Sequence, residues 1–261
     1  MALVGHGLRV VGWLAVLVAL LLTGPLLTLA FGNVSMRGDW RTATHRATGL
    51  APDPLAHPAA VVQVYASRTF GWRGAFAAHT WIAAKPANAE RYTRYEVIGW
   101  YARGGGTGLT ISDSGPPDAE WYGAAPVLIG DVRGADAEAV IAELPAAADR
   151  YAYTSYSVWP GPNSNTFVAA VLRAIPEVGA IMPPNAVGRD FRPWPYLGLT
   201  DSRTGVEANL WGVLGVKLGW VEGVELNFLG LVAGLDVRQP ALKVPGYGRV
   251  GLGQTATAAT N

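Results

Sequence analysis

The sequence predicts an α+β protein: an N-terminal transmembrane helix, then one domain in which an antiparallel sheet carries packed helices. Three observations lead there. Residues 10–31 form an uncharged apolar run of about 22 residues, long enough to cross a bilayer as a helix. Runs rich in β-branched and aromatic residues follow at 61–65, 76–82 and 92–100, separated by turn-forming residues as in a meander. Apolar residues then recur at helical spacing, first across 135–150 and again from Phe167 through Val168, Val171 and Leu172 to Ile175.

Residues 1–31 are read as a membrane anchor. Gly24-Pro25 interrupts the apolar run, which a transmembrane helix tolerates. A secretory signal peptide is the rival, since Arg9 precedes the run. The apolar part is longer than a usual signal core, and no A-x-A site stands near Ala30. An N-terminal anchor before a Trp-rich domain suggests a bacterial inner-membrane protein with its domain in the periplasm. The charge count disagrees: Arg37, Arg41 and Arg46 follow the span with only Asp39 to offset them, which by the positive-inside rule keeps the domain in the cytoplasm. Residues 32–58 read as a linker with Pro52-Asp53-Pro54 and His57-Pro58, and its histidines, His45 and His57, as solvated. Residues 59–250 form the globular domain. Pro145 is expected to kink or divide the helix at 135–150. Residues 153–158 alternate like a short strand, 182–200 are expected to wrap the surface, and Val224, Leu226, Phe228 and Leu229-Gly230-Leu231 suggest buried strands with tight turns. Charges between 205 and 244 leave no second span. The tail, 251–261, is expected to be disordered.

Composition narrows the function. With 20 Lys+Arg against 19 Asp+Glu, the net charge of +1 gives no reason to expect nucleic acid as a partner. The absence of cysteine removes disulfides, thiolate metal sites and a cysteine nucleophile. No two histidines share a strand or helix face, so no metal site is expected, and nothing calls for a cofactor. Arg103-Gly104-Gly105-Gly106 matches a phosphate loop only in glycine content and reads as a turn. There is no GxSxG elbow.

The stretch that carries chemistry is Pro160-Gly161-Pro162-Asn163-Ser164-Asn165-Thr166-Phe167. Pro and Gly stop what precedes, Asn163 or Ser164 can cap a helix, and a small nucleophile there faces orphan N–H groups and the positive end of the helix dipole. It can also be no more than a capped helix. A serine needs a base. Of the four histidines, His6 precedes the anchor and His45 and His57 lie in the linker, which leaves His79, in mid-strand. Glu96, on the strand expected to pair with that of His79, is placed to orient the imidazole, whereas Tyr95 points to the opposite face. Trp72, Trp81, Trp100, Trp121, Trp159 and Trp194 cluster around these strands and the motif. They fit core packing and membrane-interface seating, or an apolar or sugar-stacking groove leading to Ser164 in which Asn163, Asn165, Trp81, Trp100 and Trp159 would contact a ligand.

A His on one strand, an acid on the next, then Asn-nucleophile-Asn-x-Phe at a helix start resembles the permuted papain-like hydrolases. These include relatives of bacterial cell-wall endopeptidases, lecithin–retinol acyltransferase and the deubiquitinating-type peptidases with His before Cys. That resemblance implies a permuted papain-like fold, with His79 as base, Glu96 as orienting residue and Ser164 as nucleophile where those enzymes carry Cys. Taken whole, with AHTWIA, YEVIGW, GPNSNTF and QPALKVPGYG, the chain also resembles an uncharacterised proteobacterial family with a membrane anchor. Two functions are therefore expected. One is a membrane-anchored hydrolase or acyltransferase acting on amide or ester bonds of envelope material such as peptidoglycan or lipid. The other is a non-catalytic envelope protein that keeps the cleft for binding or docks on a membrane complex.

Overall fold

The computed structural model describes residues 2–31, 34 and 41–251, with no account of side chains before residue 6. Arg37 and Asp39 of the charge count, and the tail from Gln254 to Asn261, lie outside the described residues.

One helix, α1 (Ala2–Phe31), opens the chain, and Pro25 sits within it. Its segment His6–Phe31 is long and apolar enough to cross a membrane, by length and composition. Leu21, Gly24, Pro25 and Thr28 are buried at the i, i+3, i+4, i+7 spacing of one helix face. That face lies against the turn at 244–246: a Cβ on Gly24 would collide with the Pro245 carbonyl, and Gly246 in turn abuts Pro25 and the Ala75 carbonyl.

Residues 41–58 are irregular but not free. Ala47 bridges Ala119, and the Asp118 carboxylate accepts from the Leu50 N–H at 2.7 Å and the Thr48 hydroxyl at 3.1 Å. His45, although exposed, meets the Tyr122 ring edge-on at 4.8 Å, so the linker is stitched to the domain.

The first sheet is antiparallel: β1 (Val61–Arg68), β2 (Ala78–Lys85), β3 (Thr93–Val97), β4 (Leu109–Ser112) and β5 (Val127–Arg133), in the order β4-β3-β2-β1-β5. Period-2 alternation sorts its residues. Val62, Val64, Ile82, Ala84, Tyr95 and Val97 face α2 (Gly134–Asp149) and α3 (Ser164–Ala174) and form the main core with Val140, Leu144, Phe167, Val168 and Val171. Val61, Tyr65, Trp81, Ala83 and Leu128 face the other way, under Leu50 and Ala51. Pro145 does not divide α2, which runs through it. The segment 153–158 is not a strand: its backbone polar groups serve α3 instead, with the Asn163 carboxamide N–H donating to the Ser157 and Val158 carbonyls at 3.3 Å each.

The second sheet is a seven-stranded meander: β6 (Tyr196–Leu199), β7 (Gly205–Leu210), β8 (Leu214–Gly219), β9 (Gly223–Phe228), β10 (Leu231–Asp236), β11 (Ala241–Val244) and β12 (Gly248–Gly251). The strands expected around 224–231 exist, but their burial is reversed. Glu225 and Asn227 are buried, while Val224 and Leu226 are each 44% exposed. The reason is an ionic layer between this sheet and the rest of the molecule. Arg189 is buried against Glu225 and Asp190. Lys217 reaches Asp190 and Asp201 at 2.8 Å each, and Lys243 meets Glu225 at 2.5 Å. Buried charges must be paired, so the charged face turns inward and the apolar face outward. Residues 182–200 do not merely wrap the surface either, since Met182, Ala186, Arg189 and Asp190 are buried.

Candidate functional site

The N-terminus of α3 is fixed by its sequence. Asn163 is its cap, with a side-chain oxygen accepting from the Asn165 and Thr166 N–H groups at 3.0 and 3.2 Å, and the Thr166 hydroxyl closes the capping box on the Asn163 N–H at 3.1 Å. The caps engage Asn165 and Thr166 and leave the N–H of Ser164 unclaimed by them. The other end of the Asn163 carboxamide reaches the Val187 carbonyl at 3.1 Å. Gly188, at φ +96, lies so close that any Cβ there would strike that carboxamide.

Asn165 bolts this helix to β2 on both sides of His79. Its amide N–H donates to the Ala78 carbonyl at 2.9 Å and the Val187 carbonyl at 2.7 Å, and its oxygen accepts from the Thr80 hydroxyl at 2.9 Å. Thr80 therefore faces α3, and His79, one residue away, faces the opposite side of the sheet.

On that side His79 Nε2 lies 2.8 Å from Glu96 Oε2. The hairpin register explains the pairing: Ile82 lies opposite Tyr95, which sets Glu96 across from Trp81 and diagonal to His79 on one face. Arg94 holds the same carboxylate at 3.0 Å and stacks its guanidinium over the Trp81 ring at 4.7 Å. Burial pushes His79 below its ordinary value, against the pull of Glu96. Burial also acts to raise Glu96, but His79 and Arg94 outweigh it and hold the carboxyl below the usual range. The pair is thus a neutral imidazole donating its Nε2–H to an ionised carboxylate, which leaves the lone pair on Nδ1. Trp121 stacks on the imidazole at 3.6 Å and 11°, and Trp81 lies beside it along β2 at 5.8 Å.

His79, Asn163, Ser164 and Asn165 line one cleft of about 750 Å³, walled by Phe70, Trp100, Trp121, Tyr122 and Tyr156, with Arg73 and Arg103 also on its lining. It opens over the start of β2, where Ala77 and Ala78 also line it; the imidazole comes from one face of the strand and α3 from the other. No hydrogen bond joins His79 to Ser164. The Ser164 hydroxyl instead lies beside the Tyr156 phenol, which burial pushes above the usual tyrosine range.

Of the expected ligand contacts, Trp100, Asn163 and Asn165 line the cleft, though both asparagines have most of their hydrogen-bonding capacity engaged in structure. Trp81 is fully buried and flanks His79 along β2. Trp159 stands apart, its indole N–H donating to the Leu229 carbonyl at 2.8 Å. Sequence reasoning did not assign Trp121 or Tyr156 to the site. Trp121 comes from an isolated bridge to Ala124 and Tyr156 from an irregular stretch, so neither carries a periodic signal. Among the described residues no group of three or more His, Asp or Glu side chains is placed to hold a metal.

No curated protein and no solved structure matches the chain. A family model described as "Protein of unknown function (DUF3750)" matches residues 59–191, half of the chain, from the start of β1 through α3 to the arginine and aspartate that begin the ionic layer. The chain therefore belongs to the DUF3750 family.

Proposed function

We propose that this is a membrane-anchored protein of the bacterial envelope, its domain in the periplasm, that acts as a hydrolase or acyltransferase on amide or ester bonds of peptidoglycan or lipid. The observation that carries the reading is the sharing of one aromatic cleft by the Glu96-oriented His79 and by Ser164 at a helix start. The order of His79, Glu96 and Asn163-Ser164-Asn165 adds the likeness to permuted papain-like enzymes. Nδ1 of His79 would take the Ser164 proton as Oγ attacks the carbonyl carbon. The α3 N-terminus, with the free Ser164 N–H, would stabilise the oxyanion. His79 would return the proton to the leaving group, and water or an acceptor alcohol or amine would then release the acyl group. The aromatic walls suit an apolar or sugar-bearing substrate.

A second reading, a binding cleft without chemistry, is favoured by the position of the Ser164 hydroxyl, which lies beside Tyr156 and makes no hydrogen bond to His79. Labelling of the detergent-solubilised full chain with a fluorophosphonate separates the two. Catalysis predicts labelling that Ser164→Ala abolishes and that His79→Gln slows by roughly 10²–10⁴-fold, the usual worth of a general base. Folded protein that does not label at all makes the cleft a binding site.

A further inference from the structure

The second sheet turns its oily side outward without a break. One residue from each strand forms a cross-strand row: Leu199, Val206, Leu218, Val224, Leu235, Leu242 and Val250. Each of the seven is 44% or more exposed. The row spans about 29 Å at the usual strand spacing, and soluble monomers seldom expose an apolar patch of more than a few hundred Å². Trp194, Trp211 and Trp220, in the turns around this sheet, are 68%, 48% and 63% exposed, as aromatic residues are at a membrane interface.

We infer that this face is seated in the lipid bilayer beside α1, so that the protein is held by a sheet as well as by a helix. Continuity with α1 selects lipid over a second copy of the chain. Leu17 enters a groove on the same face, lined by Tyr196, Leu210, Val216, Leu226 and Phe228. On the rest of the helix Leu8, Val10, Trp13 and Leu14 are 50–74% exposed, so the two apolar surfaces run into one another. Depth gives the second argument. Leu17 lies about 16 Å along the axis from His6 at the helical rise, near the middle of a hydrocarbon core of about 30 Å. If α1 spans the bilayer, the strands that touch Leu17 are at hydrocarbon depth, where an outward charged face could not stand. The sheet turns its apolar face to lipid and keeps the ionic layer behind it. The inference rests on the anchor half of the proposed function and not on the chemistry of the cleft.

Because the chain has no cysteine, single-cysteine variants report one site each. Full-length Leu218→Cys and Leu226→Cys, with Leu14→Cys in α1 and Glu143→Cys on α2 as references, would be spin-labelled and reconstituted in phosphatidylglycerol/phosphatidylethanolamine vesicles. Accessibility to oxygen and to a water-soluble nickel chelate is then read for each. The inference predicts several-fold higher accessibility to oxygen than to nickel at 218 and 226, as at 14, with the reverse at 143. Nickel-accessible labels at 218 and 226 beside a lipid-exposed label at 14 would overturn the sheet docking and leave the anchor standing. Labels at 218 and 226 closed to both reagents would overturn it in favour of a protein partner. A water-exposed label at 14 would remove the anchor itself, and the inference with it.

Discussion

The side chains at the start of β2 hold one another in a single protonation state. Glu96→Gln keeps the shape but removes the charge that receives the His79 and Arg94 protons. Breaking a buried pair by removing one partner costs about 3–5 kcal/mol, and a loss near the lower figure is expected in urea unfolding, because the glutamine amide oxygen can still accept one bond. The pH dependence follows from the directions of the shifts. The folded pKa of His79 lies below its ordinary value of 6.5 and that of Glu96 below 4.5, so the unfolded chain takes up protons first as pH falls. Both groups contribute their full stability above 6.5. His79 begins to lose its share below that value and Glu96 below 4.5. Unfolding midpoints measured between pH 7.5 and 5 should fall, and His79→Gln should flatten the fall. At this scale the sequence was informative, because strand alternation and an adjacent hairpin suffice to put Glu96 beside His79 and Tyr95 on the other face. The Trp121 lid on the imidazole and the Tyr156 neighbour of Ser164 arise from irregular backbone, which has no period to read.

Helix α3 is held less by its own propensity than by two asparagines. Asn165→Ala removes three hydrogen bonds that clamp the helix to Ala78, Thr80 and Val187 and leaves the Ala78 carbonyl without its donor and the Thr80 hydroxyl without its acceptor. At roughly 1 kcal/mol per bond, a loss of about 3 kcal/mol is expected in urea unfolding, together with faster amide exchange in residues 164–168. If stability and exchange stayed at wild-type values, β2 and α3 would be held together by packing alone. The start of α3 was legible because Asn caps and Pro and Gly stops are strong local signals, and the packing of apolar residues at helical spacing carried it to Ile175. Other elements were not. Strand β4 is four residues of LTIS and β5 carries Gly130 and Asp131 in its interior, so neither stands out by propensity. Residues 153–158 show the opposite error, an alternating stretch whose backbone is claimed by Asn163 before any strand can pair with it.

Across the whole molecule, the ionic layer around Arg189 ties the second sheet to residues 189–192 and to α3. Glu225→Leu would leave Arg189 and Lys243 buried with too little negative charge. A loss of about 3–5 kcal/mol is expected, and limited proteolysis should cut first within residues 192–251 while the fragment from β1 through α3 survives longer. Simultaneous loss of both parts would instead make the molecule one cooperative unit. Within this layer acid should reach Asp190 late. Burial acts to raise Asp190, but Lys217 and Arg189 outweigh it and bring it from 3.8 to about 2; its contribution is complete above 3.8 and is lost progressively as pH falls from there to about 2. The strands of this sheet were visible in the sequence, but which face was inside was not. Alternation gives two faces and no sign, and the ordinary preference for apolar side chains inside chose the wrong one. The charges that reverse it, Arg173 (3.2 Å from Asp201), Arg189 and Asp190, come from elsewhere in the chain.

The fit of Gly24 and Pro25 against the turn at 244–246 has a mechanical consequence. A domain on a slack tether sweeps a hemisphere and samples whatever drifts within its radius. Here the rod is keyed into the body it carries, so the cleft keeps a set altitude and bearing relative to α1. If α1 is the anchor and the cleft acts as proposed, its working volume shrinks to a thin shell, and selection among targets begins with where they stand before any side chain touches them.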